Sequence, residues 1–68
     1  MTLEEVRKMG YWFNVRHHHN AIEVRVWRDK YIDACWARSR CDAMEAARRR
    51  ACAHFVEHSW GRNGNANS

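Results

Sequence analysis

The segment from Ser39 to Trp60 most constrains the fold, because it is the one stretch long enough to form a helix that covers a small sheet. Its apolar residues and two of its histidines recur at helical spacing and share one stripe: Ala43, Met44, Ala47, Ala51, His54, Phe55 and His58. Such spacing is typical of a helix that packs on a sheet. Ser39 and Asp42 match a capping box, so the helix is predicted to begin near Arg40 and to end before Gly61.

Three strand-like runs precede this helix, and all of them are rich in β-branched and aromatic residues. They span residues 11–17, 21–27 and 31–38. Their two-residue alternation predicts one apolar row per strand on the face that meets the helix. The predicted rows are Tyr11, Phe13 and Val15; Ile22, Val24 and Val26; and Ile32, Ala34 and Trp36.

The register of the second hairpin follows from the requirement that the second and third rows lie on one side of the sheet. Val26 then pairs with Ile32, and the turn consists of residues 28–30. On the opposite face, the same register pairs Trp27 with Tyr31 and Arg25 with Asp33. The loop of the first hairpin lies within residues 17–20. A loop at His18-His19 and a loop at His19-Asn20 both keep the apolar rows aligned.

The start of the chain repeats the capping pattern, since Thr2 and Glu5 open a short helix that Gly10 ends. The sequence therefore predicts an α+β fold: a three-stranded antiparallel meander with a short N-terminal helix and one long C-terminal helix packed on one face. We expect a single α-β-β-β-α domain over residues 1–61. Residues 62–68 have almost nothing to bury, so a disordered tail is predicted there.

Composition narrows the class of protein. A chain of 68 residues buries only about 60% of its unfolded surface, so a homodimer would add stability. Cys35, Cys41 and Cys52 form an odd set without a Cys-x-x-Cys pair, which favours free thiols in a reducing compartment, although their role stays open. No apolar run approaches the roughly 20 residues of a membrane span. We expect a cytoplasmic protein without a membrane partner.

The sequence offers little for catalysis or metal binding. It contains no Gly-rich phosphate loop and no ordered Ser, His and Asp set. His17 and His19 share a face but have no cysteine or carboxylate at zinc-ligand spacing. His54 and His58 stand one helical turn apart on the predicted buried stripe, where packed histidines are the favoured interpretation. We predict a non-enzymatic protein with no cofactor.

The outer face of the sheet, opposite the helix, is the candidate binding surface. Its tryptophans and a tyrosine alternate with arginines, and such a surface can stack bases and neutralise phosphates, or anchor a protein interface. The net charge of +4 suits a polyanion. The run Arg48–Arg50 fans out over about 200° of helix surface and is interpreted as solvated rather than as a patch. The predicted binding residues are Trp12, Arg16, His18, Arg25, Trp27, Tyr31, Arg38 and Arg40.

The predicted order of elements resembles the double-stranded RNA-binding domain. The local match is Ser39-Arg40-Cys41-Asp42-Ala43-Met44, followed by Ala47 and Ala51, against that family's Ser-Lys-Lys-x-Ala-Lys with alanines at the same later spacing. The resemblance implies that Arg40 contacts a phosphate and that one of His17, His18 or His19 reaches the minor groove. Cys41 and Met44 stand where the family has lysines, so the binding motif is degenerate.

In size, in its arginine- and alanine-rich composition and in its predicted exposed aromatic face, the chain is also similar to small phage-encoded inhibitors, including some anti-CRISPR proteins. That likeness implies an inhibitor or adaptor that blocks a host protein or ribonucleoprotein complex through the outer face of the sheet. Two functions therefore stand open: binding of nucleic acid through arginines and exposed aromatic residues, and inhibition of a host complex. The sequence does not distinguish an RNA, DNA or protein target, and it does not fix the oligomeric state.

Overall fold

A computed structural model describes residues 1–60, which form one antiparallel sheet covered by helices. The elements are α1 (Leu3–Lys8), β1 (Trp12–His17), β2 (Ile22–Arg28), β3 (Tyr31–Ala37) and α2 (Arg40–Phe55), and a π-helical segment, Val56–Trp60, continues α2. The strands are adjacent in the order β1-β2-β3, and α2 packs on β2 and β3 while α1 contacts α2. The predicted α+β architecture and the α-β-β-β-α order are confirmed. The predicted stop at Gly61 and the tail over 62–68 lie outside the described residues.

Side-chain caps begin both helices where the sequence predicts them. In α1, Thr2 Oγ1 accepts a hydrogen bond from the Glu5 backbone N–H at 3.2 Å, and Glu5 Oε1 accepts one from the Thr2 N–H at 2.8 Å. In α2, Ser39 Oγ accepts from the backbone N–H of Asp42 at 3.1 Å. Gly10 follows α1 with a φ of +102°, a backbone conformation that glycine adopts without strain.

The core lies between the sheet and the alanine stripe of α2. Ala43, Ala47 and Ala51 are fully buried, as the spacing predicts. Because alanine side chains are short, the helix backbone lies close to the strands. The remaining buried apolar residues are Val6, Tyr11, Val24, Val26 and Cys35. Met44 and Phe55 pack at the margin of this core, whereas His58 is exposed.

The predicted register of the second hairpin is wrong by one residue. Trp27 pairs with Ile32 and Val26 with Asp33, so the turn contains two residues, Asp29 and Lys30, instead of three. Asp29 adopts a φ of +53°, in the left-handed region that Asp tolerates better than most residues. Because side chains alternate along a strand, this shift moves every side chain of β3 to the other face.

The packing of α2 explains the observed register. The closely packed alanine stripe leaves room for small residues beneath it, and β3 places Cys35 and Ala37 there. On the same inner face, the Asp33 carboxylate accepts a hydrogen bond from Arg50 Nη1 of α2 at 2.8 Å. The predicted core row of β3 therefore lies on the outer face, and all three members are exposed: Ile32, Ala34 and Trp36.

Candidate functional site

The outer face of the sheet carries the largest exposed apolar side chains of its three strands. It presents three positions from each strand: Trp12, Asn14 and Arg16 from β1; Glu23, Arg25 and Trp27 from β2; and Ile32, Ala34 and Trp36 from β3. Strand pairing aligns these positions in rows across the sheet. One row consists of Trp12, Trp27 and Ile32, and the row at the other end consists of Arg16, Glu23 and Trp36.

The indole rings on this face are open to solvent. Trp12 is 59% exposed, Trp36 is 55% exposed and Ile32 is 72% exposed. The two aromatic rows are separated by four residues along β3, or about 13 Å at roughly 3.3 Å per residue. Exposed aromatic rings of this kind are costly in water unless a partner covers them. The face therefore has the composition of a binding surface with aromatic contacts at both ends.

Glu23 lies within this face but is hidden from solvent, since its side chain is only 5% exposed. Its carboxylate accepts a hydrogen bond from Arg25 Nε at 2.9 Å, and His18 Nε2 lies 2.8 Å from its other oxygen. The bond from Arg25, followed by the contact with His18, lowers the pKa of Glu23, so this carboxylate is ionised at neutral pH. The His18 ring also lies over Trp36, with ring centroids 4.5 Å apart and planes inclined by 37°.

The exposed charges of the outer face are positive. Glu23 is the only carboxylate among its nine strand positions, and two cationic or polar neighbours already engage it. Arg16 extends from β1 into solvent, and within residues 1–60 it has no ion-pair partner. Arg25 keeps a side chain that is 47% exposed despite its bond to Glu23. The surface is therefore aromatic and positive, without an exposed acidic group.

The structure brings together most of the predicted binding residues. Trp12, Trp27, Arg16 and Arg25 lie on the outer face, and His18 lies beside them over Trp36. The two remaining arginines are exposed on either side of Ser39, where β3 leads into α2: Arg38 and Arg40. They lie past the strand positions, next to the end that carries Trp36.

Tyr31 is the predicted binding residue that the structure places elsewhere. The one-residue shift turns it to the inner face, where its ring stacks on His54 with centroids 3.9 Å apart. Burial, reinforced by the Asp33 carboxylate, raises the pKa of Tyr31 to about 12. Cys35 alternates with the predicted core row of β3, so the predicted register would place it on the outer face, but it is buried instead. Tyr31 therefore belongs to the packing between β3 and α2.

Sequence reasoning missed three residues of the outer face: Ile32, Glu23 as a buried hydrogen-bond acceptor, and Trp36. The apolar alternation of β3 assigned Ile32 and Trp36 to the core. The signal that identifies the correct face is the pairing of Asp33 with Arg50, which requires Asp33 to face α2. Glu23 is surrounded by its own strand neighbour Arg25 and by the hairpin residue His18, a combination that becomes visible only in three dimensions.

The two helix histidines are stacked on each other, with His54 partly buried and His58 exposed. The rings of His54 and His58 are stacked, with centroids 4.3 Å apart and planes inclined by 16°. Lone pairs lie in the plane of an imidazole, so two nearly parallel rings do not converge on one ion. Tyr11 Oη lies 2.6 Å from His54 Nδ1. Across the described part of the chain, no group of three or more His, Cys, Asp or Glu residues is placed to hold a metal.

The three consecutive arginines in the middle of α2 are engaged by carboxylates. Arg48 and Arg49 both contact Glu45, and Arg50 contacts Asp33. The hydrogen bond from Arg48 lowers the pKa of Glu45 to about 2. The run Arg48–Arg50 is therefore a set of ion pairs along the helix, and it does not form a separate basic patch.

Comparison with known proteins gives no relative: no family model, no curated protein and no solved structure matches the chain. The order of elements is shared with the double-stranded RNA-binding domain, but membership of that family has no support beyond this order. No helix within residues 1–60 is long and apolar enough to cross a membrane.

Proposed function

We propose that this chain is a non-enzymatic module that binds single-stranded nucleic acid on the outer face of its sheet. The observation that carries the proposal is the combination of three outward tryptophans with arginines and no exposed carboxylate on the same face. Aromatic rings stack on bases of any sequence, and each stacked base contributes about 1–3 kcal/mol. Arginines beside the rings neutralise the phosphates that connect those bases.

The geometry favours single strands over a duplex. A sheet face with protruding indoles reaches base faces only where the bases are unstacked. The mode implied by the double-stranded RNA-binding domain would require a histidine that projects from the first hairpin loop. Of the three candidates, His18 lies against Trp36 and Glu23 on the outer face, whereas His17 and His19 are exposed at the first hairpin. Arg16 and Arg25 flank the indoles, and Arg38 and Arg40 extend the positive charge beyond the strand ends.

The test is a titration of fluorescein-labelled ten-nucleotide RNA and DNA of mixed sequence, as single strands and as duplexes, followed by anisotropy at low and near-physiological salt. We expect single strands to bind more tightly than duplexes, with affinity that falls as salt rises. Trp36→Ala or Trp12→Ala should each weaken binding by about fivefold or more, because one stacked base is lost.

Val56→Ala is the matched control, since Val56 is an exposed apolar residue in the π-helical segment beyond α2, away from the outer face. It should leave the affinity unchanged. The proposal fails if no oligonucleotide binds at low salt, or if the tryptophan variants bind as well as Val56→Ala. Circular dichroism of each variant verifies that the fold persists.

A protein partner is the second candidate, and the exposure of Ile32 favours it. An aliphatic side chain contributes little to base stacking, but it anchors a protein interface well. In this function the chain acts as an inhibitor or adaptor. It binds a host protein, or a second copy of itself, through the row of Trp12, Trp27 and Ile32. Ile32→Ser separates the two functions, because it should weaken a protein contact and spare binding of single strands. Light scattering of the isolated chain identifies a dimer.

A further inference from the structure

The buried carboxylate of Glu23 is unusual on a surface that otherwise presents aromatic rings and positive charge. Its side chain is 5% exposed, and it engages Arg25 and His18 simultaneously. A carboxylate bound to a guanidinium presents the same kind of charge and acceptor atoms as a phosphate. In the same cluster, the flat imidazole of His18 covers part of Trp36, with ring centroids 4.5 Å apart.

We propose that Glu23 and His18 occupy the positions that a bound nucleotide would take on the outer face. The charge of Glu23 thereby limits the affinity of this face for polyanions. The carboxylate takes the place of a phosphate at Arg25, and the imidazole takes the place of a base on Trp36. This inference rests on the proposed binding of single-stranded nucleic acid. It assigns to Glu23 a role in setting affinity, where the sequence indicated only a strand residue.

The charge of Glu23 opposes a phosphate that approaches Arg25. Two unit charges about 7 Å apart near a protein surface repel, and after screening by near-physiological salt this repulsion is worth several-fold in affinity. The carboxylate also fixes Nε of Arg25 by a bond of 2.9 Å, so that part of the guanidinium is already occupied. Arg16 lies directly opposite Glu23 in the neighbouring strand, and it makes no ion pair with this or any other carboxylate within residues 1–60.

Glu23→Gln tests the inference because it removes the charge and keeps the size, with one acceptor oxygen retained for Arg25 and the other oxygen replaced by an NH2 donor. We expect this variant to bind the ten-nucleotide single strand about three- to tenfold more tightly than the natural chain at near-physiological salt. The slope of log affinity against log salt should steepen by about 0.7, the value for one additional phosphate contact on a single strand.

Glu4→Gln is the matched control, because it changes the net charge equally from an exposed position on α1, which packs against α2 and not on the outer face. At near-physiological salt a distant charge is largely screened, so its affinity should change by less than about twofold. His18→Ala is the second variant. It uncovers Trp36 without adding a phosphate contact, so binding should tighten with the same salt slope.

The outcomes separate the two proposals. If the natural chain binds single strands and Glu23→Gln behaves like Glu4→Gln, the proposed function stands and the role of Glu23 is overturned. If the natural chain and Glu4→Gln bind only at low salt while Glu23→Gln also binds at near-physiological salt, both proposals are supported. If none of the variants binds, both proposals fail. Should Glu23→Gln not fold, His18→Ala decides, and weaker or unchanged binding by that variant overturns the inference.

Discussion

At the scale of single residues, His54 joins the end of α2 to the sheet. Its ring lies between Tyr31 and His58, with centroids 3.9 and 4.3 Å away, and its Nδ1 is 2.6 Å from Tyr11 Oη. Tyr11 is 1% exposed, so its hydroxyl requires a partner within the protein. The sequence predicted His54 as a packed histidine from its place on the helical stripe. The partners were not predictable, because the register error had placed Tyr31 on the other face.

Stability should fall in mild acid through His54. Burial, with smaller effects of His58 and Arg28, lowers the pKa of His54 in the folded chain. The unfolded chain, with a histidine pKa near 6.5, therefore binds the proton first. As pH falls below about 6.5, the free energy of unfolding should decrease, by at most about 1.4 kcal/mol per pH unit, until the folded pKa is passed.

Urea denaturation at pH 7.5 and pH 5.5, followed by circular dichroism, measures this loss. His54→Gln retains hydrogen-bonding atoms for Tyr11 but does not titrate in this range. It should be less stable at neutral pH and show a smaller difference between the two pH values. An equal difference in both proteins would show that other groups cause the acid sensitivity.

At the scale of elements, the sequence was sufficient for the type, order and approximate start of both α-helices and for all three strands, but not for the π-helical segment Val56–Trp60 or the register of β3. The helix caps and the alanine stripe are local signals, and each acts within one element. The face of β3 depends on α2, because Cys35 and Ala37 fit beneath the stripe and Asp33 reaches Arg50. Alternation within β3 offers an apolar row on either face, so pattern alone did not distinguish them.

Thiol labelling distinguishes the two registers. In the observed register Cys35 is buried while Cys41 is exposed at the start of α2. We expect a chain that retains only Cys41 to react rapidly with a thiol reagent under native conditions. A chain that retains only Cys35 should react slowly, and only through unfolding, since a buried thiol is protected. Rapid labelling of Cys35 in the native state would contradict the register and return Trp36 to the core.

The close approach of α2 to the sheet depends on the alanine stripe. Ala47 is fully buried in the middle of this contact, whereas Ala53 is exposed on the same helix. Ala47→Leu should destabilise the fold by about 1–3 kcal/mol, because the added atoms have no space. Ala53→Leu makes the same change of side chain and should alter stability by about 0.5 kcal/mol or less. Urea unfolding followed by circular dichroism measures both, and equal effects would indicate that the helix does not pack through this stripe.

At the scale of the whole molecule, some arginines are paired with carboxylates and others are not, and the two groups lie on different surfaces. The run Arg48–Arg50 of α2 is paired with Glu45 and Asp33, so it adds little to the field around the molecule. On the outer face and beyond its strands, Arg16 and Arg38 extend without ion-pair partners among residues 1–60. The sequence predicted both as binding residues and interpreted the α2 run as solvated. Net charge alone did not distinguish these groups, since pairing depends on the folded arrangement.

Two double variants of equal charge test whether position or net charge controls binding. Arg16→Gln/Arg38→Gln and Arg7→Gln/Lys8→Gln each remove two charges from the net +4. Arg7 and Lys8 belong to α1, which packs against α2, so they lie away from the outer face. If phosphates contact Arg16 and Arg38, only the first variant should flatten the salt slope, by about 1.4 for two contacts on a single strand.

The measurement is anisotropy of the labelled ten-nucleotide strand across a series of salt concentrations. If only net charge matters, both double variants should bind the strand equally weakly. The loss of affinity should then be larger at low salt, where the Debye length is long. Contacts with phosphates would instead separate the variants at every concentration. Equal slopes for the two variants would remove these arginines from the proposed interface. The exposed aromatic row of Trp12, Trp27 and Ile32 would then be best explained by a protein partner, because its apolar contacts do not require compensation of phosphate charge.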